Sequence, residues 1–244
     1  MEPTDLRGRT LEELVAGRRQ RITRPTIRRI AGNLPYLEAR RIADSQGGLP
    51  RNVFTNQVLA DPNVWQRLPS DYFPAWQREI LVYPRPGKVF KKGEDIIETF
   101  ESNGERFKVT YPAHCIPKEA RKRGTALFVD LKNEPRIERN SIIVDVDTYE
   151  EVTILDGFPQ EDSFGRIDRA TGVPLTNKNI YDLPAGERGY LWRTSSQGIR
   201  PVVRDSDRVF YGRRKIICAN YRFDNELGVG VESREDAPQV SVSK

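Results

Sequence analysis

Tyr190-Leu-Trp-Arg-Thr-Ser-Ser-Gln-Gly-Ile-Arg-Pro-Val-Val-Arg204 and, beyond the stretch 205–214, Lys215-Ile-Ile-Cys-Ala-Asn-Tyr-Arg-Phe-Asp-Asn-Glu-Leu-Gly-Val-Gly-Val231 decide how this chain is read. Seven arginines and six aromatics fall within Tyr190–Val231. Aromatic rings give broad apolar contact at small entropic cost and guanidinium groups add planar hydrogen bonding, which together make the composition of binding hot spots. The β-rich end of a core with charged edges has the same composition. The order of the residues therefore has to decide between the two.

The rest of the chain narrows the function classes. At 244 residues and 37% hydrophobic content it can build a core without disulfides or metals. Charged residues make up 31%, yet the signs nearly cancel at +5, which describes a soluble globular protein and not a nucleic-acid-coating one. The longest apolar runs, such as Ala126–Val129 and Ile80–Tyr83, fall far short of the roughly 20 residues of a membrane helix. With no apolar signal core after Met1, the cytosol is the default expectation. Cys115 and Cys218 have no spacing that suggests a disulfide framework.

Along the chain, residues 1–45 carry ten Arg against six acidic residues, with apolar positions spaced for helices. Thr10 and Glu13 fit a capping box ahead of Leu11, Leu14 and Val15. A second helix is expected from Thr26 to about Ala43, with a break near Asn33-Leu34-Pro35. From Gly47 helical periodicity fades and short β-type runs appear: Ile80–Tyr83, Arg106–Tyr111, Thr125–Asp130 and Ser141–Val146. Asn103-Gly104 between Ile96–Glu101 and Arg106–Tyr111 is the clearest hairpin. Residues 130–182 hold twelve acidic residues against six basic ones, read as solvated loops.

Candidate chemistry is sparse. His114 beside Cys115 invites a thiolate or metal reading, but a closed zinc site needs about four ligands, and neighbours on an extended segment point to opposite faces. Packing residues are the expectation there. Asp145 and Asp147 would share one face of a strand and could hold a cation, although alternation with Val144 and Val146 equally describes a wet strand face. No Gly-x-Gly-x-x-Gly or Gly-x-x-x-x-Gly-Lys cradle occurs. Ser195 and Ser196 have no histidine in their own block. A helix-turn-helix reading of the N-terminal segment is stronger: it would put Arg24, Arg28 and Arg29 at the start of a recognition helix, where they could contact phosphate or guanine.

The order of residues in the C-terminal block carries a resemblance. Leu191-Trp-Arg-x-Ser-Ser196, Gly198-Ile-Arg-Pro-Val-Val-Arg204, a ragged polar and aromatic stretch, and Leu227-Gly-Val-x-Val231 resemble the end of C-type-lectin-fold proteins, closest to the variable proteins of diversity-generating retroelements of archaeal or viral type. The likeness is close over the last 45 to 60 residues and holds only in character from about residue 47. It implies a scaffold for a diversified ligand-binding surface. Trp192, Arg193, Ser195, Ser196, Gly198, Arg200, Pro201, Gly228 and Val229 match the framework. Asp205, Ser206, Asp207, Phe210, Tyr211, Asn220, Tyr221, Arg222, Asp224 and Asn225 would be the diversified contacts, each a type that adenine substitution in an asparagine codon can yield; Lys215 and Glu226 are not. A calcium-dependent sugar lectin would show Glu-Pro-Asn or Gln-Pro-Asp before Trp-Asn-Asp, and a formylglycine-generating enzyme a C-terminal cysteine pair. Neither pattern occurs.

The expected fold is therefore α+β: an N-terminal helical segment, 1–45, then a C-type-lectin-like domain, 46–244, mostly irregular and β. The expected function is non-catalytic binding of a protein or surface ligand, with no cofactor or metal. The alternative is DNA binding by the basic N-terminal segment, and a virion or assembly component is a third reading.

Overall fold

The computed structural model describes residues 23–69, 71–84, 89–102, 104–176, 180–184, 187–193, 197–205 and 215–236. Its centre is Ala75-Trp-Gln-Arg-Glu-Ile-Leu-Val-Tyr83, a strand buried almost end to end on both faces. A run that is apolar or hydrogen-bonded on both faces suits only a strand in the middle of a covered sheet. In chain order this strand is β2, preceded by β1 (Thr23–Leu34), α1 (Tyr36–Asp44), α2 (Asn52–Ala60) and the single turn α3 (Pro62–Trp65). Next come β3 (Ile96–Ser102), β4 (Glu105–Tyr111), α4 (Lys118–Arg123), β5 (Ala126–Leu131), β6 (Arg136–Glu138), β7 (Ser141–Ile143) and β8 (Tyr149–Leu155). The chain closes with β9 (Ser163–Ile167), β10 (Pro174–Thr176), β11 (Arg188–Arg193), β12 (Gly198–Asp205), β13 (Lys215–Ala219) and β14 (Leu227–Asp236).

Ten of these strands form one sheet, ordered β1-β14-β2-β12-β13-β11-β9-β10, with β5 on β2 and β8 on β5. The other four make a small sheet, β3-β4-β7-β6. The class is thus α+β and predominantly strand. The hairpin expected at Asn103-Gly104 is present: Ile96 pairs with Tyr111 and Ser102 with Glu105, and Gly104 takes φ +77. The runs expected near Ile80–Tyr83, Thr125–Asp130 and Ser141–Val146 are β2, β5 and β7, the last ending at Ile143.

The helix expected from Thr26 is the main correction. Residues Thr23–Leu34 are strand, paired antiparallel with β14 from Thr23 opposite Asp236 to Leu34 opposite Leu227, and helix begins only at Tyr36, after Pro35. β-branched Thr23, Thr26, Ile27 and Ile30 favour a pleated surface. Closeness completes the explanation. A Cβ on Gly230 would lie 2.6 Å from Ile27 Cγ2 and 2.7 Å from Tyr72 Oη, and one on Gly228 would overlap the Tyr72 carbonyl. The two glycines let β14 press against Tyr72 while Ile27 packs into a cluster with Phe54, Val58 and Tyr72. Tertiary pairing overrides the helical spacing. Residues 23–34 consequently join the sheet of the C-terminal strands, and α1 joins their core; the helix expected at Thr10–Arg21 lies outside the described residues.

Between α2 and β2 lies a buried polar layer. Both carboxylate oxygens of Glu79 accept the Asn52 main-chain N–H, at 2.8 and 3.0 Å, and the Thr55 hydroxyl donates to Gln77 Oε1 at 2.6 Å. Asn52 Nδ2 donates to the Thr171 carbonyl at 2.6 Å, and Asn52 Oδ1 accepts from the fully buried Arg204 at 3.2 Å. Burial, with the nearby Asp130 charge adding to it, raises the Glu79 carboxyl from 4.5 to about 8. A folded-state pKa above the unfolded value means that folding takes up a proton between those two pH values. The contribution of Glu79 to stability is therefore whole below about pH 4.5 and lost as pH rises through about 8. Glu79→Gln is expected to flatten this slope. Thermal melts of both proteins at about pH 5 and about pH 9 check it, and an unchanged gap in Tm between the two pH values would refute the assignment.

Candidate ligand-binding surface

β11 and β13 run parallel, Trp192 beside Cys218 and Arg193 beside Ala219, so both strands deliver their chain ends to the same side of the sheet. Strand alternation turns Leu191 and Arg193 inward and leaves Trp192 49% exposed. From β13 the chain enters the turn 220–226, where Asn220, Arg222 and Asn225 are exposed and Tyr221 and Asp224 half-buried. The turn closes on itself: the Arg222 N–H donates to Asn225 Oδ1 at 2.8 Å and the Asn225 N–H returns to the Arg222 carbonyl at 3.2 Å.

Phe223 pins the middle of this turn. Its ring is buried edge-on to Tyr36, with centroids 5.3 Å apart, and lies near-parallel to Phe100 at 6.5 Å. Its carbonyl accepts the Tyr36 N–H at 3.0 Å. Below Trp192, the Arg193 guanidinium sits between Tyr83 and Phe158, 4.6 and 5.0 Å from their ring centroids. It donates to the carbonyls of Pro159 and Pro84, while its own main-chain N–H meets Asp162 Oδ1 at 2.7 Å. Burial lowers its pKa from the ordinary arginine value.

Arg200, on β12, is paired with Glu98 of β3; their side chains are 5% and 9% exposed. Glu98 Oε2 also accepts the Ile199 N–H at 3.0 Å. One carboxylate thus fastens the small sheet to the large one. Burial, and to a lesser degree the neighbouring Arg222 charge, lowers the Arg200 pKa.

The framework assigned from the sequence is mostly interior: Arg193, Gly198, Arg200, Pro201, Gly228 and Val229 are buried. Trp192 departs from it, exposed on the outer side of β11. The contact set is divided. Asp205, half-buried at the end of β12, pairs with Ile216 at the entrance of β13, whereas Asn220, Tyr221, Arg222, Asp224 and Asn225 lie beyond its exit. Four residues of extended chain separate Ile216 from Asn220, roughly 13 Å. Ser206, Asp207, Phe210 and Tyr211 lie outside the described residues, as do Ser195 and Ser196.

The remaining sequence candidates resolve separately. Arg24, Arg28 and Arg29 stand on β1 and not on a recognition helix; Arg29 pairs with Asp71 at 2.6 Å and Arg28 donates to Gln46 at 3.2 Å. His114 and Cys115 lie on a single 3-10 turn, Ala113–Cys115, instead of an extended segment, with His114 exposed and Cys115 buried. Burial pushes the Cys115 thiol up. Asp145 and Asp147 sit in the turn after β7, where Asp145 binds Thr148 and, at 3.0 Å, Arg136. Among the described residues no three His, Cys, Asp or Glu side chains group to hold a metal, and no helix is long and apolar enough to cross a membrane. One feature went unread in the sequence: a cleft of about 940 Å³ between α2 and β9–β10, whose polar walls come from segments more than a hundred residues apart.

Two stability predictions separate frame from surface. Phe223→Ala should cost about 3–5 kcal/mol of unfolding free energy, whereas Asn220→Ala and Arg222→Ala should each stay within about 0.5 kcal/mol. Denaturant titrations measure all three, and comparable losses would show that the turn is not held by its phenyl ring. Glu98→Ala should cost about 3–5 kcal/mol by stranding Arg200, with most of it regained in the Glu98→Ala/Arg200→Met double variant. Comparisons of the chain with protein-family models, curated proteins and solved structures each returned no match.

Proposed function

We propose that the protein is a non-catalytic ligand-binding protein that displays an interchangeable surface on a C-type-lectin-like scaffold, as a variable protein of a diversity-generating retroelement would. The observation that carries this reading is the contrast at the ends of β11 and β13. Exposed Trp192, Asn220, Arg222 and Asn225 stand over buried Arg193, Arg200 and Phe223. Side chains that make few folded-state contacts can change partner choice at little cost in stability, provided the backbone under them is fixed. An aromatic anchor with a planar cation and amides beside it is the composition of contact hot spots. The residue order of Leu191–Val231 supplies the link to the variable-protein family. DNA binding through Arg24, Arg28 and Arg29 gains no support from their strand placement.

On this reading the contacts at the exit of β13 act as one unit with Trp192, and Asp205 belongs to a second zone at the strand's entrance. The decisive measurement is the DNA around the gene. A reverse transcriptase close by, with a near-copy of the 3′ coding segment differing mainly opposite template adenines, is the expected finding. Their absence would remove the diversification reading. A library randomised at Trp192, Asn220 and Arg222 should also remain folded and yield binders to an arbitrary target such as streptavidin. Collapse of most library members in thermal melts would refute the scaffold role.

A further inference from the structure

The outer face of the small sheet holds a polar hollow of about 560 Å³, within the range of small-molecule sites. Its walls are Lys108 and Thr110 of β4, Glu138 of β6, Ser141 and Ile143 of β7, and Arg139 in the turn between β6 and β7. Val109 and Ile142 face the core, so strand alternation turns Lys108, Thr110, Ser141 and Ile143 to the opposite side. β4 and β7 run parallel, with Lys108 beside Ser141 and Thr110 beside Ile143. Glu138 stands next to Ser141 across β7, and Arg139 follows it directly. Every polar wall residue therefore starts within about two strand spacings, roughly 10 Å, of Ser141.

The charges of these walls are unevenly committed. Glu138 Oε1 is paired with Arg136 at 3.0 Å, and Arg136 is also held by Asp145 at 3.0 Å. Among the described residues, Lys108, Arg139 and the hydroxyls of Thr110 and Ser141 have no ion pair or hydrogen bond. Thr110 separates this hollow from ordinary wet surface. It is only 9% exposed, yet its unpaired hydroxyl keeps contact with the hollow instead of being sealed in. A polar group so enclosed calls for a partner. Water can supply one, but water does not offset the two cations beside it. Arg139 takes φ +54, the one non-glycine residue at positive φ among the described residues. That backbone suits glycine or asparagine, so nothing in the turn itself asks for arginine.

We propose that this hollow binds a small hydroxylated phosphate monoester, of the sugar-phosphate class. The dianion offsets Lys108 and Arg139, and its three terminal oxygens accept from both cations and from the hydroxyls of Thr110 and Ser141. Glu138 Oε2 accepts a hydroxyl of the ligand, and Ile143 meets the carbon face of its ring. A carboxylate or a phosphodiester carries one charge for two cations. A cationic ligand would meet like charges, and an apolar one would leave four polar groups unanswered.

Amide-resolved NMR of the full chain, with glucose 6-phosphate as the probe, tests this. Saturable shifts at Lys108, Arg139 and Ser141 are expected, with glucose, glucose 6-sulfate and inorganic phosphate at least about tenfold weaker. Lys108→Gln, Arg139→Gly and Thr110→Val should each weaken the phosphate ester about tenfold. Arg139→Gly relieves the positive φ and Thr110→Val removes an unpaired hydroxyl, so both should keep or raise Tm, and their loss of binding is then no loss of fold. Trp192→Ala should leave binding unchanged, which separates this site from the surface at β11 and β13. Absence of saturable shifts at these amides, equal binding of the sulfate ester or of inorganic phosphate, full affinity in both Arg139→Gly and Thr110→Val, or tighter binding of a single-stranded oligonucleotide would overturn the proposal.

Discussion

The closure of β1 on β14 is the constraint on which the rest of this structure depends. It is made possible by two missing side chains, at Gly228 and Gly230, which let the strand approach Tyr72 and Ile27 more closely than any Cβ would permit. With that contact made, Ala75 of β2 meets Gly228 and the central strand is shared between β14, β5 and β12. β12 in turn sets β13, and β13 sets β11. The position of Trp192 and of the 220–226 turn is thus inherited, strand by strand, from one close packing contact.

Charge is used inside this frame for placement more than for stabilisation. Arg193, Arg200 and Arg204 alternate between the aromatic sandwich, the Glu98 carboxylate and the Asn52 amide, all buried. Replacing such groups by apolar residues of similar volume is often neutral or stabilising, so their worth lies in geometry: each admits few arrangements of its neighbours. Glu98 reaches across from the small sheet, and Pro159 and Pro84 fix the ends of the loops around Arg193. Among the described arginines of the C-terminal block, Arg193, Arg200 and Arg204 are therefore interior positioning groups and Arg222 is exposed.

Much of the strand content was legible because it depends on local pattern. The apolar run at Ile80–Tyr83 and the Asn-Gly turn each carry their signal in a few residues. The N-terminal strand was not legible. Its spacing of apolar residues suits a helix, and the reason it is extended lies about two hundred positions away in β14. Among the site residues, the sequence placed Arg200 and Gly228 in the framework and Asn220 and Arg222 in the contact set; the first two are buried and the last two exposed. It could not reveal that Trp192 faces outward, since an aromatic in a strand is ordinarily read as core, nor that Phe223 anchors the turn between polar neighbours. The cleft was invisible for a simpler reason: Asn56 and Gly172 become neighbours only through folding.

The distance in sequence between β1 and β14 also governs how the protein comes to be folded. The sheet cannot be completed locally, because its outer pair joins segments at opposite ends of the described chain, and contacts of that span slow folding by the entropy of closing the intervening loop. During synthesis, β1 must wait unpaired until Gly228 and Gly230 have left the ribosome. Arg24, Arg28 and Arg29 lie along this strand, and charge on an unpaired strand disfavours pairing with another chain.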